Sequence, residues 1–541
     1  MFDHCKQAVC RGALASFFCT GLALGPAAAV QAGELPDAVE PQVLLITDAA
    51  LAEAWQDFAD FKTRLGRPIT IMTVQEIAQA YEGADIQAKI RAAALDHVEN
   101  HGTQYIILGG DSQPGTEAGG GLVPDRDTAH PQMRYRDVPT DLYYISPGDK
   151  DWDANDDGIY GLWPQDMSAV QYGHPSGAAI GRIPVRTPDD VAAYTDKIID
   201  YETAYPAQDF AQSIIYTNTV DASEPKVRRS WDDYLSKSWE QGGVLRFLHT
   251  QTAWDVSEPG DYALNADHWV EVINRRTAGK MHMHGHGFLP VWALEHPTGN
   301  TRVNARVVDR LQNENAYLVM TTVSCFTGQY DAVQDPSITE TMLRAPDKGA
   351  VVIIAPSREG VPIFHNPRED FRLMVTQGKL DGTTESMTRF WMHGLSAQDD
   401  GGYLTAGQAF ITMKNDMDPH ARQTAGYHWC QCELNFLGDP TLDLRAKDPV
   451  SATDRFAQAS PNADTFAAGQ AYHGHTLQTG LEGTDGVVVC LWKGDEVYQV
   501  APVQADGTAT FEDFTFDTPG RALLTISGPS MNAYLGSVTV R

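Results

Sequence analysis

The sequence predicts an α/β protein made of two α/β units with mainly parallel sheets, followed by a C-terminal β-sandwich. Three observations predict this. Strand-like and helix-like stretches alternate over residues 43–110. The alternation restarts at residue 213. Residues 462–541 carry short alternating strands separated by turn signals.

The first unit opens with an apolar strand at 43–47. Leu51, Trp55, Phe58, Phe61 and Leu65 then recur at helical spacing, and Gly66 closes that helix. A second strand is expected at 69–74. Ile86, Ile90, Ala94 and Val98 mark a second helix, and a third strand at 105–108 ends in Gly109, Gly110 and Asp111. A βαβαβ order of this kind gives a parallel sheet covered by helices. The section 112–180 reads as loop-rich; a strand at 178–185 and a helix near 189–201 close the unit. In the second unit, strands are expected at 213–219, 244–248, 281–286, 317–324 and 349–355, and the unit runs to about Leu444. Residues 446–461 read as a linker. The expected partition is a signal peptide at 1–32, a first subdomain at 33–205, a second at 206–445, the linker, and a β-sandwich domain at 462–541.

A chain of 541 residues needs more than one core. Its 42% apolar and 21% charged residues are ordinary for a globular protein, so it can bury such cores. A formal net charge of −31 argues against non-specific nucleic-acid binding and against docking on anionic lipid, because both would repel it. Lys6 and Arg11 precede an apolar stretch at 13–30, and Val30, Gln31 and Ala32 offer a small-residue cleavage site. Export is therefore expected, to the periplasm or the extracellular space. No later stretch is long and apolar enough to span a bilayer. Cys5, Cys10 and Cys19 leave with the signal. Cys325, Cys430, Cys432 and Cys490 are too few for a disulfide scaffold. Cys430 and Cys432 have no second Cys or His pair near them in sequence, and they read as structural.

In open parallel sheets, sites form beyond the carboxyl ends of strands. Two strands of the second unit end in chemically loaded sequences: one in His282, His284, Gly285, His286 and Gly287, the other in Ser324, Cys325, Phe326 and Thr327. If the strands are neighbours, His286 and Cys325 emerge side by side. A thiol is mostly protonated at neutral pH, and an adjacent imidazole can take its proton and later return one to a leaving amine. The N–H groups of Gly287 and Cys325 could hold a developing oxyanion. A second chemistry competes. His282, His284 and His286 alternate, so on one strand they would share a face and could bind zinc as in a zinc hydrolase.

The chain resembles the gingipain-like cysteine peptidases of family C25, distant relatives of caspases, over most of 43–445. The matching stretches stand in order: LLITDAAL, AWQDFADFKTRLG, ADIQAKIR, YIILGGD, TDLYY, DWDANDDGIYG, GRIPVRTPDDVAAYTDKIIDYE, GHG, VSCFTGQYD, GAVVIIAPSREG and LNFLGDPTLDL. The resemblance implies two caspase-like or gingipain-like α/β subdomains followed by an immunoglobulin-like domain. It implies a cysteine endopeptidase acting on protein or peptide substrates, with Cys325 as nucleophile and His286, in its Gly-His-Gly, as base. No cofactor is expected for catalysis. The competing class is a catalytically idle adhesion or binding protein of the same fold.

Departures from the family pattern matter. Where arginine-specific gingipains carry a carboxylate for the substrate's arginine, this chain reads VDASEPKVRRSWDD. Lys226, Arg228 and Arg229 there raise the idea of an acidic P1 residue. Asp221 is the candidate acid for orienting His286. Family homology begins soon after residue 33, so control by a large prodomain is not expected. Asp153, Asn155 and Asp157, followed by Gly158, match the first half of a calcium loop, and Ile159 stands at its seventh position. Pro164 stands where the usual twelfth-position glutamate would, so any further carboxylate must come from elsewhere, with Asp151 and Asp166 as candidates. The resemblance adds that such relatives are calcium-stabilised, and a structural Ca2+ is expected.

Overall fold

The computed structural model describes residues 35–541, apart from 37–38, 113–121, 149–150, 207–209, 212, 219–245, 248–264, 277, 295–301, 334, 361–382, 397–403, 460–464 and 482–485. The signal segment, Asp221 and the basic trio Lys226, Arg228 and Arg229 lie outside the described residues.

A single ten-stranded sheet runs through both α/β units. Its order is Ile69–Thr73, Val43–Thr47, Tyr105–Gly109, Ala179–Ile183, Leu434–Gly438, Ala350–Pro356, Leu318–Thr322, Lys280–His284, Ser213–Asn218 and Arg246–Phe247. Neighbours are parallel except at one place, where Leu434–Gly438 runs antiparallel to Ala350–Pro356. The expectation of separate sheets is corrected here. Leu434–Gly438, where no strand was expected, returns from the end of the second unit and fuses the two. The seam is close: a Cβ on Gly181 would lie 2.6 Å from the Gly438 carbonyl oxygen and 2.8 Å from Phe436, so only glycine fits.

The central strands read as continuous apolar runs because helices cover both faces. Val43–Thr47, Tyr105–Gly109, Leu318–Thr322 and Ala350–Pro356 are buried at every position. Each fully buried aliphatic side chain there stabilises the fold by about 1.5–3 kcal/mol. One continuous core extends from Val43 to Ala446. The first helix forms later than its apolar spacing predicts: Leu51 and Trp55 are buried in turns, and the helix is Gln56–Arg64. Capping boxes start the helices Val74–Ala80, Pro188–Thr203 and Ile338–Arg344.

The C-terminal region is strand-rich and has its own core, from Ala452 to Val540. Its largest sheet orders Thr465–Phe466, Tyr534–Val540, Gly520–Ser527, Val488–Lys493 and Val497–Pro502. Within 446–461, the helix Ala452–Ala459 packs Ala452 and Phe456 into that core. The region docks on the end of Gln56–Arg64, where a helix leaves carbonyls without intrahelical partners. Tyr498 Oη donates to the Thr63 carbonyl at 2.9 Å and Ser527 Oγ to that of Leu65 at 2.8 Å. Among the described residues no helix is long and apolar enough to cross a membrane.

Candidate active site

The strands Lys280–His284 and Leu318–Thr322 are parallel neighbours, with Met283 opposite Thr322. Val323 N donates to the Met283 carbonyl at 3.0 Å, which extends the match beyond the named strands. Three residues past each member of the Met283 and Thr322 pair stand His286 and Cys325. The register therefore brings the two segments that carry the predicted groups to the same, carboxyl end of the sheet.

Gly287 fixes how closely the two segments meet. A Cβ there would lie 2.5 Å from the Cys325 carbonyl oxygen, 2.5 Å from Thr327 Cγ2 and 2.9 Å from Ser324 Cβ. The backbone just after the histidine thus rests directly on the cysteine turn. That turn is held from several sides. Phe326 N donates to the Arg358 carbonyl at 2.7 Å, Thr327 Oγ1 to the Ser324 carbonyl at 2.7 Å, and Gly328 N to the Pro356 carbonyl at 2.9 Å. Phe326 adopts φ 59°, a left-handed conformation costly for a side chain of this size, which the surrounding bonds maintain.

Cys325 is half-buried, and its sulfur lies 3.7 Å from the Gly360 carbonyl oxygen. Burial pushes its thiol above the ordinary value, and the carboxylates of Glu433 and Glu359 push the same way. The resting group is thus a thiol. His286 is exposed, at the start of the strand His286–Phe288, which pairs antiparallel with Val291–Ala293. Phe288, two residues on, is also exposed, at 61%, while Gly287 between them is buried.

The idea of one strand face carrying three histidines is corrected. The strand ends at His284, Gly285 bends the chain, and His286 belongs to another sheet. His282 is buried, with Nδ1 2.7 Å from Thr321 Oγ1, whereas His286 is exposed.

Sequence reasoning missed the wall of the site. Ser357, Arg358, Glu359 and Gly360 follow the strand Ala350–Pro356, and the helix Ala425–Glu433 closes behind them. Trp429 Nε1 donates to the Glu359 carbonyl at 2.9 Å, and Ser357 N to that of Glu433 at 2.7 Å. Tyr135 Oη donates to Glu359 Oε1 at 2.7 Å. The available signal was SREG at the end of an apolar strand, the same position that marks the other two segments.

The predicted calcium residues form a compact acidic turn. Asp153 accepts from Asp157 N at 3.0 Å and from Gly158 N at 2.7 Å. Asp157 accepts from Ile159 N and from Asn155 Nδ2, both at 2.9 Å. Asp156 and Gly158 take left-handed φ values of 58° and 77°, which curl the chain around its own oxygens. Asp166 is fully buried and accepts from Ala154 N and Leu162 N. Burial pushes its carboxyl upward, and the charges of Asp153 and Asp157 add to that. A carboxylate oxygen has room for an N–H and a cation together, so this oxygen-only donor set fits a hard ion.

The family model for peptidase family C25 matches residues 37–445. Among solved structures, the Arg-specific cysteine proteinase gingipain R is similar at 16% identity and TM-score 0.66, covering 94% of this chain and 100% of its own. A structure described only as a protease matches at 15% identity and TM-score 0.65, over 93% of this chain and 98% of its own. The complex of pro- and mature domains of RgpB from Porphyromonas gingivalis matches at 16% identity and TM-score 0.62, over 92% and 100%. At such identities the likeness is one of fold. No curated protein matches the chain.

Proposed function

Since the chain belongs to peptidase family C25, we propose that it is an exported cysteine endopeptidase using Cys325 and His286 as a catalytic dyad. The observation that carries this reading is the matched register of the two strand ends, with Gly287 seated on the cysteine turn. His286 takes the proton from the Cys325 thiol, and the thiolate attacks the scissile carbonyl. The N–H groups of Gly287 and Cys325 receive the oxyanion. The protonated imidazole then gives its proton to the leaving amine. Water, deprotonated by His286, releases the thioester-bound acyl group.

The test is hydrolysis of a peptide library by the purified chain beside Cys325→Ala. The reading requires loss of essentially all turnover in the variant, and irreversible labelling of Cys325 by an acyloxymethyl ketone in the parent. Turnover that survives Cys325→Ala would remove the assignment.

Two finer readings accompany it. The strand-rich C-terminal region is an immunoglobulin-like β-sandwich. Asp153, Asn155 and Asp157, with the Ile159 carbonyl, hold a structural Ca2+ supported by Asp166. Chelation is expected to lower the melting temperature and speed proteolytic nicking around residue 156; unchanged values in both would exclude the ion.

A further inference from the structure

Far from Cys325 in sequence, His130, His428 and Cys432 meet in the interior. Each offers a ligand atom, and these atoms lie within 4.8 Å of one another. All three residues are 2% exposed or less. Cys432 and His428 sit one turn apart on the helix Ala425–Glu433, and their side chains face each other: Sγ is 3.8 Å from His428 Nδ1. His130 ends the strand Arg126–His130, and its ring lies tilted by 32° against that of His428, with centroids 4.6 Å apart.

The surroundings orient these groups as metal ligands are oriented. His428 Nε2 lies 2.6 Å from the Gly161 carbonyl oxygen, which can only accept, so Nε2 carries the proton. The Nδ1 lone pair is thereby aimed at the cluster. A backbone carbonyl on the remote ring nitrogen is the usual support of a metal-bound histidine. The Thr128 hydroxyl holds His130 Nε2 at 3.0 Å. For zinc bonded tetrahedrally to one sulfur and one nitrogen, the S···N edge is about 3.6 Å, close to the distance between Cys432 and His428. The Tyr172 hydroxyl lies 2.5 Å from the same Nδ1. An ion between Nδ1 and Sγ displaces that hydrogen bond and finds the phenol oxygen beside it as a fourth ligand. Two imidazoles and a thiol are also a costly set to bury where apolar side chains would fill the space as well.

We propose that His130, His428 and Cys432 form a structural site for a zinc-type divalent cation, with Tyr172 at the fourth position. As the Zn–S bond forms, the thiol proton leaves to solvent. Because the pocket is closed, the ion enters as the chain folds. It clamps the helix Ala425–Glu433 onto the strand Arg126–His130. The same helix supports the active-site wall through Trp429, and His428 fastens the segment that follows the acidic turn.

The test uses the full chain carrying Cys325→Ala, which keeps the catalytic thiol out of the readout. It is unfolded, stripped with chelator, and refolded with Zn2+ or with Co2+. The site predicts one ion per chain retained through gel filtration, and a thiolate-to-cobalt charge-transfer band in the near ultraviolet. Adding Cys432→Ser should abolish the band, and His428→Gln should lower retention at least tenfold. Refolded chain that retains no ion, or a band that persists in Cys432→Ser, overturns the proposal. If Cys432→Ser does not fold, His130→Gln decides: undiminished retention in that variant also overturns it.

Discussion

Adding one methyl group at residue 287 tests the geometry on which the peptidase reading rests. In Gly287→Ala the new Cβ would stand 2.5 Å from the Cys325 carbonyl oxygen and from Thr327 Cγ2. Ordinary carbon contacts begin near 3.5 Å, so the two segments must part by about 1 Å. The obstructing oxygen is backbone, in a turn pinned by Phe326 N, Thr327 Oγ1 and Gly328 N, so no side-chain rotation relieves the clash. A misplacement of about 1 Å between reacting groups costs about 100-fold in rate. Overpacking of this kind costs about 1–3 kcal/mol of stability, which leaves the protein folded. The expected result is a fall in kcat/KM of about 100-fold on a fluorogenic peptide, with a cooperative melt retained. The rate at which iodoacetamide alkylates Cys325 at neutral pH should fall in parallel, since the imidazole no longer reaches the thiol. A Gly287→Ala enzyme with parental turnover and parental alkylation would refute the reasoning, because the His286 and Cys325 segments could not then be in contact.

Three further substitutions test the same structure. In His286→Ala the Cys325 thiol loses its base, while burial and the charges of Glu433 and Glu359 still push it upward; its alkylation should proceed only as pH rises beyond 9, and fast alkylation at pH 7 would show that His286 is not the base. Phe288 projects beside His286 on the same strand, and burying such a ring against substrate is worth about 1–2 kcal/mol. Phe288→Ala should therefore raise KM about 5- to 30-fold at unchanged kcat, and an unchanged KM removes it from the substrate groove. Lys62 Nζ lies 2.7 Å from Asp439 Oδ2 and 3.2 Å from Glu202 Oε1 in the core, so Lys62→Met strands the buried Asp439 carboxylate and takes one of three cations from Glu202, at a cost of about 3–5 kcal/mol in denaturant unfolding. Burial alone would lift the Glu202 carboxyl, but Lys62, Arg67 and Arg445 outweigh it and hold the group below its ordinary 4.5. Its stabilising contribution is thus fully present above about pH 4.5 and is lost as pH falls through the depressed folded value; Lys62→Met should flatten that acid limb, and an unchanged limb would assign it elsewhere.

The parallel strands were legible because burial on both faces leaves unbroken apolar runs, as in 43–47 and 105–108. Each proves to be a fully buried strand. Cys325 and His286 were legible as positions because each stands at the end of an expected strand, 317–324 for the first and 281–286 for the second, where His286 is flanked by Gly285 and Gly287. What the pattern could not show was polarity placed in the core. Lys62, Lys197, Lys280 and Lys414 are all buried, and a lysine ordinarily marks a solvated face. Lys197 Nζ, for one, donates to the carbonyls of Leu343 at 2.6 Å and Ala350 at 3.0 Å. The section read as loop-rich hides the strand Arg126–His130 for the same reason. Arg126 is buried, forked onto Asp85 at 2.7 and 2.9 Å, with its guanidinium 3.8 Å from the centre of the Tyr160 ring. The histidine alternation misled because period two holds only while a strand lasts, and Gly285 ends it. Cys432 read as structural because its companion His130 lies far away in sequence.

The reversed strand explains why the site is walled as it is. Lys280–His284, Leu318–Thr322 and Ala350–Pro356 are parallel, so each delivers its following loop to the same end of the sheet: His286, then Cys325, then Glu359 and Gly360. A parallel neighbour on the far side would deliver a fourth loop and begin at the opposite end. Leu434–Gly438 is antiparallel, with Leu434 opposite Pro356, so it begins at the site. The element that arrives there is therefore the end of a helix, Ala425–Glu433, rather than a loop. A helix end is stiffer than a loop, and it bears on the third strand's loop through Trp429 and the Glu433 carbonyl. The loop so held supplies the Gly360 carbonyl beside the Cys325 sulfur and the Arg358 carbonyl that accepts from Phe326 N. Fusing the two units through one reversed strand thus does more than extend the sheet: it makes the placement of the Cys325 turn depend on how firmly that helix is anchored to the first unit.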